Sequence, residues 1–399
     1  MKKKIIIVGG GPAGLIAADV LSPHMDVCII EKEKNIGQKF LVAGKGGFNL
    51  TNSATGEELK NKYLPKNFLN EALTEFDSQD LRNWFLSLGI KTFIGTSGRV
   101  FPEEGIKPFE VLNAIKNKLS QAKVEILLQH KFLAFKNSNA IFVVHEKNKL
   151  TLEADYFIFA LGGASWSITG SDGKWTKTFE KFGIETKPFQ SSNCGVNIKW
   201  NENIKQHHAG KPLKNIKIYL DEFEKLGEAV ITDYGLEGNA IYPVIPGIRN
   251  QLERNEQPHI FFDFKPNNTI EQLELKIKEE NLSSKNYAKI INLTTSEMAI
   301  LKMFTSKEDF LNPSTFIKNV KSLKISVTAL RPIEEAISTV GGIPFEVVNK
   351  DFSLKKYPNI FTVGEMLDWD APTGGFLLQG CFSTGHFSAE AILKRECFN

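Results

Sequence analysis

Three glycines and one acid near the start of the chain have the types and spacing to hold a dinucleotide. Gly9, Gly11 and Gly14 lie in the run Gly9-Gly10-Gly11-Pro12-Ala13-Gly14, and Glu31 follows 22 residues after Gly9. In such a pattern the first glycine permits a tight turn. The second lets main chain approach a pyrophosphate, and the third lets a helix pack closely on a sheet. The helix N-terminus that follows offers free N–H groups and a partial positive charge to the phosphates. Glu31 stands near the spacing at which a carboxylate accepts hydrogen bonds from adenosine ribose hydroxyls.

The elements that must position these residues are legible around them. Lys4 to Val8 is an apolar run with strand propensity, Leu15 to Leu21 reads as a helix, and Val27 to Ile30 is a second apolar strand ending on Glu31. Strand, glycine turn, helix, strand and acid together make a dinucleotide-binding unit, which a lone glycine pattern would not. The polar loop after Glu31 adds Lys32 and Lys39 as candidates.

A second glycine-rich stretch, Gly44 to Asn52, contains Gly46, Gly47, Asn49 and Thr51, whose main chain, amides and hydroxyls suit close approach to a ligand. A surface loop fits that spacing equally well. Residues 57–122 read as mostly helical, with an amphipathic period over Asn67 to Leu88, a break near Gly95 to Gly105, and a helix from Pro108 to Leu119. Arg99, in the break, is a candidate substrate or phosphate contact or a solvated side chain. Short strands follow at 124–128, 140–144, 151–154 and 156–160. The last runs into Ala160-Leu161-Gly162-Gly163, where the backbone can pass close to a bound dinucleotide.

From Pro188 the texture changes. Residues 188–265 read as a β-rich insert and 266–330 as a helical one, between two parts of a first domain at 1–187 and 331–399. The closing segment has a buried strand from Asn359 ending on Gly364-Glu365. Then come Gly374-Gly375-Phe376-Leu377 and a small-residue helix through Ile392. An acid at a strand end can place a carboxylate on a ribityl hydroxyl. A glycine pair opening a helix can set N–H groups near flavin pyrimidine oxygens, where reduction builds negative charge.

Composition narrows the classes. Apolar residues are 42% and charged residues 24% of 399, ordinary for a globular chain, and a net charge of +3 is too small to imply nucleic acid or membrane. Cys28, Cys194, Cys381 and Cys397 are scattered without a Cys-x-x-Cys, which argues against a zinc site or a redox dithiol. No uncharged run reaches the roughly 20 residues of a membrane span, and the start is not read as a signal peptide, so a cytoplasmic place is expected.

The glycine stretches, in this order, point to a family. The chain resembles the bacterial FAD-dependent oxidoreductases grouped as BaiN-like or aminoacetone-oxidase-like flavoproteins. The resemblance rests on Gly9 to Leu15, Gly44 to Asn52, Gly98-Arg99-Val100-Phe101-Pro102, Thr339 to Ile343 and Gly364 to Asp368. Gly47-Phe48 and Trp369 to Gly375 depart from the commoner family pattern and mark a divergent branch. The resemblance implies an α/β fold: a Rossmann-like, glutathione-reductase-like FAD domain assembled from both chain ends, with β-barrel-like and small helical modules inserted. It would place Gly9, Gly11, Pro12, Ala13, Gly14 and Glu31 on the ADP half of FAD, with the Phe132 backbone at adenine. Gly364, Glu365, Gly375, Phe376 and Leu377 would lie along the ribityl chain and flavin ring.

The expected activity is flavin oxidoreduction of a small or medium organic molecule through N5. NAD(P)H is left open as a transient reductant, since no second complete glycine fingerprint is visible. No catalytic residue and no metal is assigned. Tyr234, in an insert segment that matches a family position, is a candidate proton donor or a packed side chain. Lys45 is a candidate at the flavin edge or a solvated side chain. His207-His208, in a polar loop without a third ligand, reads as surface imidazoles. An RNA-modifying flavoprotein is the alternative, hinted at by Lys205, Lys211, Lys214 and Lys217, and a flavin-holding sensor is a third.

Overall fold

Apolar runs that end on glycines become the parallel strands of a central sheet. The computed structural model describes residues 2–42, 47–279 and 286–397. β1 (Lys4–Val8) lies between β2 (Asp26–Glu31) and the strand Tyr156–Phe159, parallel to both. Glu125–Leu128 extends the sheet beyond β2. Tyr357–Thr362 extends it on the other side, and Ser353–Leu354 closes that edge antiparallel. Ile5, Ile6, Ile7, Phe157, Ile158 and Phe159 are fully buried. Burial on both faces is why these strands read as unbroken apolar runs and not as alternation.

α1 (Pro12–Leu21) packs on this sheet, and the closing helix Phe376–Cys397 packs along α1. The approach is so close that a methyl group on Gly385 would stand 2.2 Å from the Ala13 carbonyl oxygen. Both ends of the chain therefore share one core.

Two small antiparallel sheets flank the main one. His130–Asn137, Ala140–His145 and Asn148–Glu153 form a meander. Thr51–Asn52, Arg99–Pro102 and Thr92–Ile94 form a sheet of three short strands in the region read as a break between helices. The amphipathic period over Asn67 to Leu88 is split into Asn70–Glu75 and Ser78–Ser87. Asp77 starts the second helix by accepting from the Gln79 and Asp80 N–H groups at 2.8 and 3.2 Å, while Asp80 accepts from the Asp77 N–H at 3.0 Å.

The chain forms two compact units, residues 1–190 with 338–399 and residues 191–337. The second has a seven-stranded antiparallel sheet built on the hairpin Pro212–Leu220 and Phe223–Ile231. Leu273, Ile300, Leu301, Phe316 and Ile317 from its helices enter the same core as Ile216, Ile218, Ile260 and Phe262 from its strands. The stretches 188–265 and 266–330, read from sequence as two modules, thus contribute to one hydrophobic core.

Candidate functional site

In open parallel sheets the crevice outside the carboxyl ends of the strands is where ligands bind. Here that crevice is a cleft of about 330 Å³, and it lies wholly within the first unit. The strands end along it in sheet order, so His130 to Leu133, after Glu125–Leu128, line one end. Glu31 to Glu33, Gly9 to Ala13 and Ala160 to Gly162 line the middle, and Gly364 and Glu365, with Lys39 and Cys381 beside them, the far end. The loop Thr169 to Asp172 completes the wall.

The turn after β1 is shaped by what cannot fit there. A Cβ on Gly9 would stand 2.4 Å from the Ala160 carbonyl oxygen, and one on Gly14 2.2 Å from the Gly9 carbonyl oxygen. A Cβ on Gly11 would meet nothing within 4 Å, so the space beside that backbone is open cleft. Gly14 is therefore a packing residue, while Gly11, Pro12 and Ala13 line the cleft. Glu31 is held in place by the Gly10 N–H at 2.8 Å and the Glu33 N–H at 3.0 Å, one to each carboxylate oxygen. Each oxygen keeps acceptor capacity for ribose hydroxyls. Lys32 pairs with Asp172 across the cleft wall at 3.3 Å. Phe132 lines the opposite end, its ring packed on Phe135 and Phe159.

At the far end Lys39 donates to Glu365 at 2.6 Å and to the buried Ser165 hydroxyl at 3.0 Å. Glu365 reaches this place because the strand Tyr357–Thr362 delivers Gly364, whose N–H donates to Thr384 of the closing helix at 2.9 Å. Cys381 is buried beside Gly364, and burial, with the nearby Glu365 carboxylate, pushes its thiol well above the usual range. That environment favours the neutral thiol. The sequence reading did not single out Cys381 for the site, nor Ser165, His130 or the Thr169 to Asp172 loop. The small residues of that loop were the available signal.

The remaining predicted residues gather at the start of the closing helix. A Cβ on Gly375, at φ +104°, would stand 2.2 Å from the Thr51 main chain, a conformation and a space that only glycine accepts. Asn52 donates to the Gly374 carbonyl at 3.2 Å, Thr51 to Gln379 at 2.6 Å, and Tyr63 to the Phe376 carbonyl at 2.6 Å. Gly47 lies against Phe101, the Asn49 N–H donates to the Gly47 carbonyl at 2.9 Å, and Leu377 packs on the core edge. Cys381, on the cleft wall, is five residues further along this helix, about 8 Å at 1.5 Å per residue. The two clusters are thus joined through one helix. Gly46 and Lys45 fall outside the described residues.

In the second unit, Tyr234 donates to Glu237 at 2.7 Å, and the Arg331 guanidinium lies 4.0 Å from its ring centre. Burial and the Glu237 carboxylate raise this phenol well above its ordinary range, so it stays protonated. The reading of His207-His208 as surface imidazoles holds for His207, which is exposed, though it ends the helix Glu202–His207 and is not in a loop. It is corrected for His208, which is buried, its Nδ1 2.9 Å from the Ser296 hydroxyl. Burial lowers its pKa. Among the described residues no three or more His, Cys, Asp and Glu side chains are grouped to hold a metal, and no helix is long and apolar enough to cross a membrane.

Residues 3–391 match the family described as HI0933-like protein Rossmann domain. The chain belongs to that family. The chain therefore bears out the family resemblance read from the glycine motifs. It is 25% identical to the 3-dehydro-bile acid delta(4,6)-reductase of Clostridium scindens, over 98% of this chain and 99% of that one. It is 22% identical to the ribosomal RNA dihydrouridine synthase of Haemophilus influenzae, over 98% of each. The fold is also that of the 3-ketosteroid delta1-dehydrogenase of Sterolibacterium denitrificans, with a TM-score of 0.51 at 12% identity, covering 98% of this chain and 100% of that one.

Proposed function

We propose that this HI0933-like protein holds FAD in the cleft of its first unit and uses it to reduce a small or medium, largely apolar organic molecule, with NAD(P)H as the electron donor. The observation that carries the reading is the order of groups along the cleft. By strand order, the end of Glu125–Leu128 with the aromatic-backed strand after it stands on one side, the fixed Glu31 carboxylate of β2 next, the open Gly11 backbone after β1 next, and Glu365 after Tyr357–Thr362 on the other side. That order matches adenine, ribose, pyrophosphate and ribityl chain. When bound, the flavin supplies hydride transfer through N5. Glu31 holds ribose hydroxyls, the α1 N-terminus faces the phosphates, and Lys39 fixes the Glu365 carboxylate for the ribityl chain. The bile-acid reductase relative supports reduction of a carbon skeleton.

Anaerobic mixing of the yellow protein with NADH and with NADPH tests it. Bleaching near 450 nm within the turnover time is expected with one of them. A flavin that neither nucleotide bleaches removes the reductase reading.

The relative named for ribosomal RNA favours a second reading, reduction of a base in RNA. Its support within this chain is thin. Of the four lysines that hint at a basic face, Lys205 lies 3.1 Å from Glu202 and Lys217 2.6 Å from Glu224, leaving Lys211 and Lys214. RNA binding that falls steeply with salt would favour this second reading.

A further inference from the structure

The small sheet of Thr51–Asn52, Arg99–Pro102 and Thr92–Ile94 carries a face that the proposed function does not use. Side chains two apart on a strand share a face, and directly paired residues share it across strands. Arg99 and Phe101 are two apart, Phe93 pairs with Phe101, and Asn52 pairs with Arg99. These four therefore line one face, and Val100 turns to the other, where it is fully buried.

That face has an apolar part and a cationic part. Phe93 and Phe101 are stacked with ring centres 5.7 Å apart and planes at 28°, and Phe93 is 48% exposed. The Arg99 side chain lies over the turn that opens the closing helix, its Nε 3.6 Å from where a Cβ of Gly374 would be. Among the described residues its guanidinium has neither an ion pair nor a hydrogen bond. Five N–H donors in a planar fork are left for a ligand, in a geometry that suits a carboxylate. An exposed ring stacked on a half-buried one, beside an unspent guanidinium and next to the glycine turn assigned to the flavin ring, is a surface for a flat molecule with an anionic end.

We infer that Arg99, with Phe93 and Phe101, is a specificity site for a planar conjugated carboxylate. The guanidinium takes the carboxylate, the two rings take the flat apolar body, and the molecule is thereby laid against the flavin end of the first unit. Its role as a substrate site rests on the flavin reading above.

Calorimetric titration of the FAD-loaded protein with 2-naphthoate and with 2-naphthamide tests it, alongside flavin difference spectra. The acid is expected to bind at least about tenfold tighter than the amide. Arg99→Gln erases that preference without changing the FAD content of the purified protein, Arg99→Lys recovers part of it, and Phe101→Leu weakens both probes. Equal binding of acid and amide overturns the inference. So does Arg99→Gln protein that loses its flavin but keeps the preference, which would make Arg99 a cofactor contact. A uridine-containing RNA oligonucleotide that binds through Arg99 where naphthoate does not also overturns it. Colourless protein without affinity for FAD overturns the flavin reading instead, and calorimetry still decides whether Arg99 selects the acid.

Discussion

Gly11 and Gly14 are three residues apart in one motif, yet they answer to different constraints. A methyl at Gly14 would press on the Gly9 carbonyl at 2.2 Å, so the β1 turn or α1 must shift. Overpacking of this kind costs about 1–3 kcal/mol. A methyl at Gly11 meets no protein atom within 4 Å. Gly14→Ala is therefore expected to lower the melting temperature of the apoprotein by several degrees. Gly11→Ala is expected to melt with the wild type as apoprotein but to bind FAD at least about tenfold more weakly, or about 1.4 kcal/mol, because on the proposed reading the methyl stands where the pyrophosphate approaches. Melting curves of both apoproteins and FAD titration by flavin fluorescence separate the two. A Gly11→Ala protein with undiminished FAD affinity would remove Gly11 from the ligand side. The motif already assigns close packing to Gly14 and ligand approach to Gly11, and the space around each is what the two variants probe.

At the scale of elements, what was legible depended on how local the signal was. The β1–α1–β2 unit, the helix Thr295–Phe304 and the closing helix follow from residues that are neighbours in the chain. The sheet of Thr51–Asn52, Arg99–Pro102 and Thr92–Ile94 does not, because two to four residues per strand are too few for a periodic pattern and the pairing spans almost fifty residues. His130–Asn137 was missed for a related reason. Its register shifts twice, around Phe132/Ala134 and Phe135/Asn137, which spoils the alternation. His208 shows the same limit in one side chain. Its partner Ser296 comes from a helix 88 residues away, so its burial has no local signature. That burial has a consequence for pH. Desolvation lowers the folded-state pKa of His208 below its ordinary 6.5, and it does the same for His259 on the strand His259–Asp263. The unfolded chain then binds more protons near and below pH 6.5, so stability is full above that pH and is lost as pH falls. Urea unfolding of the second unit is expected at lower denaturant at pH 5.5 than at pH 7.5, and His208→Gln should flatten the difference. An unchanged pH slope in that variant would mean His208 does not carry the effect.

The whole molecule divides its labour between two cores. One core is built from both ends of the chain and contains the entire cleft. The other, within residues 191–337, buries its own strands and helices. The pairing of chain ends was foreshadowed in the sequence by an acid-ended strand and a glycine pair close to the C-terminus. The sharing of one core by sheet and helices in 191–337 was not, because it depends on apolar faces that meet only after folding. A ligand that binds one folded unit and not its unfolded form stabilises that unit alone, by about 2.7 kcal/mol at a free concentration of 100 Kd. Removal of FAD is therefore expected to lower one calorimetric transition and leave another where it was. Restoring FAD should return the first by an amount that grows with the logarithm of its concentration. The Gly11→Ala protein supplies the control, since its first transition should respond only at about tenfold higher FAD. A single transition that moves as a whole with FAD would show instead that the two cores unfold as one cooperative body, and the cofactor would then be stabilising residues 191–337 as much as the first unit.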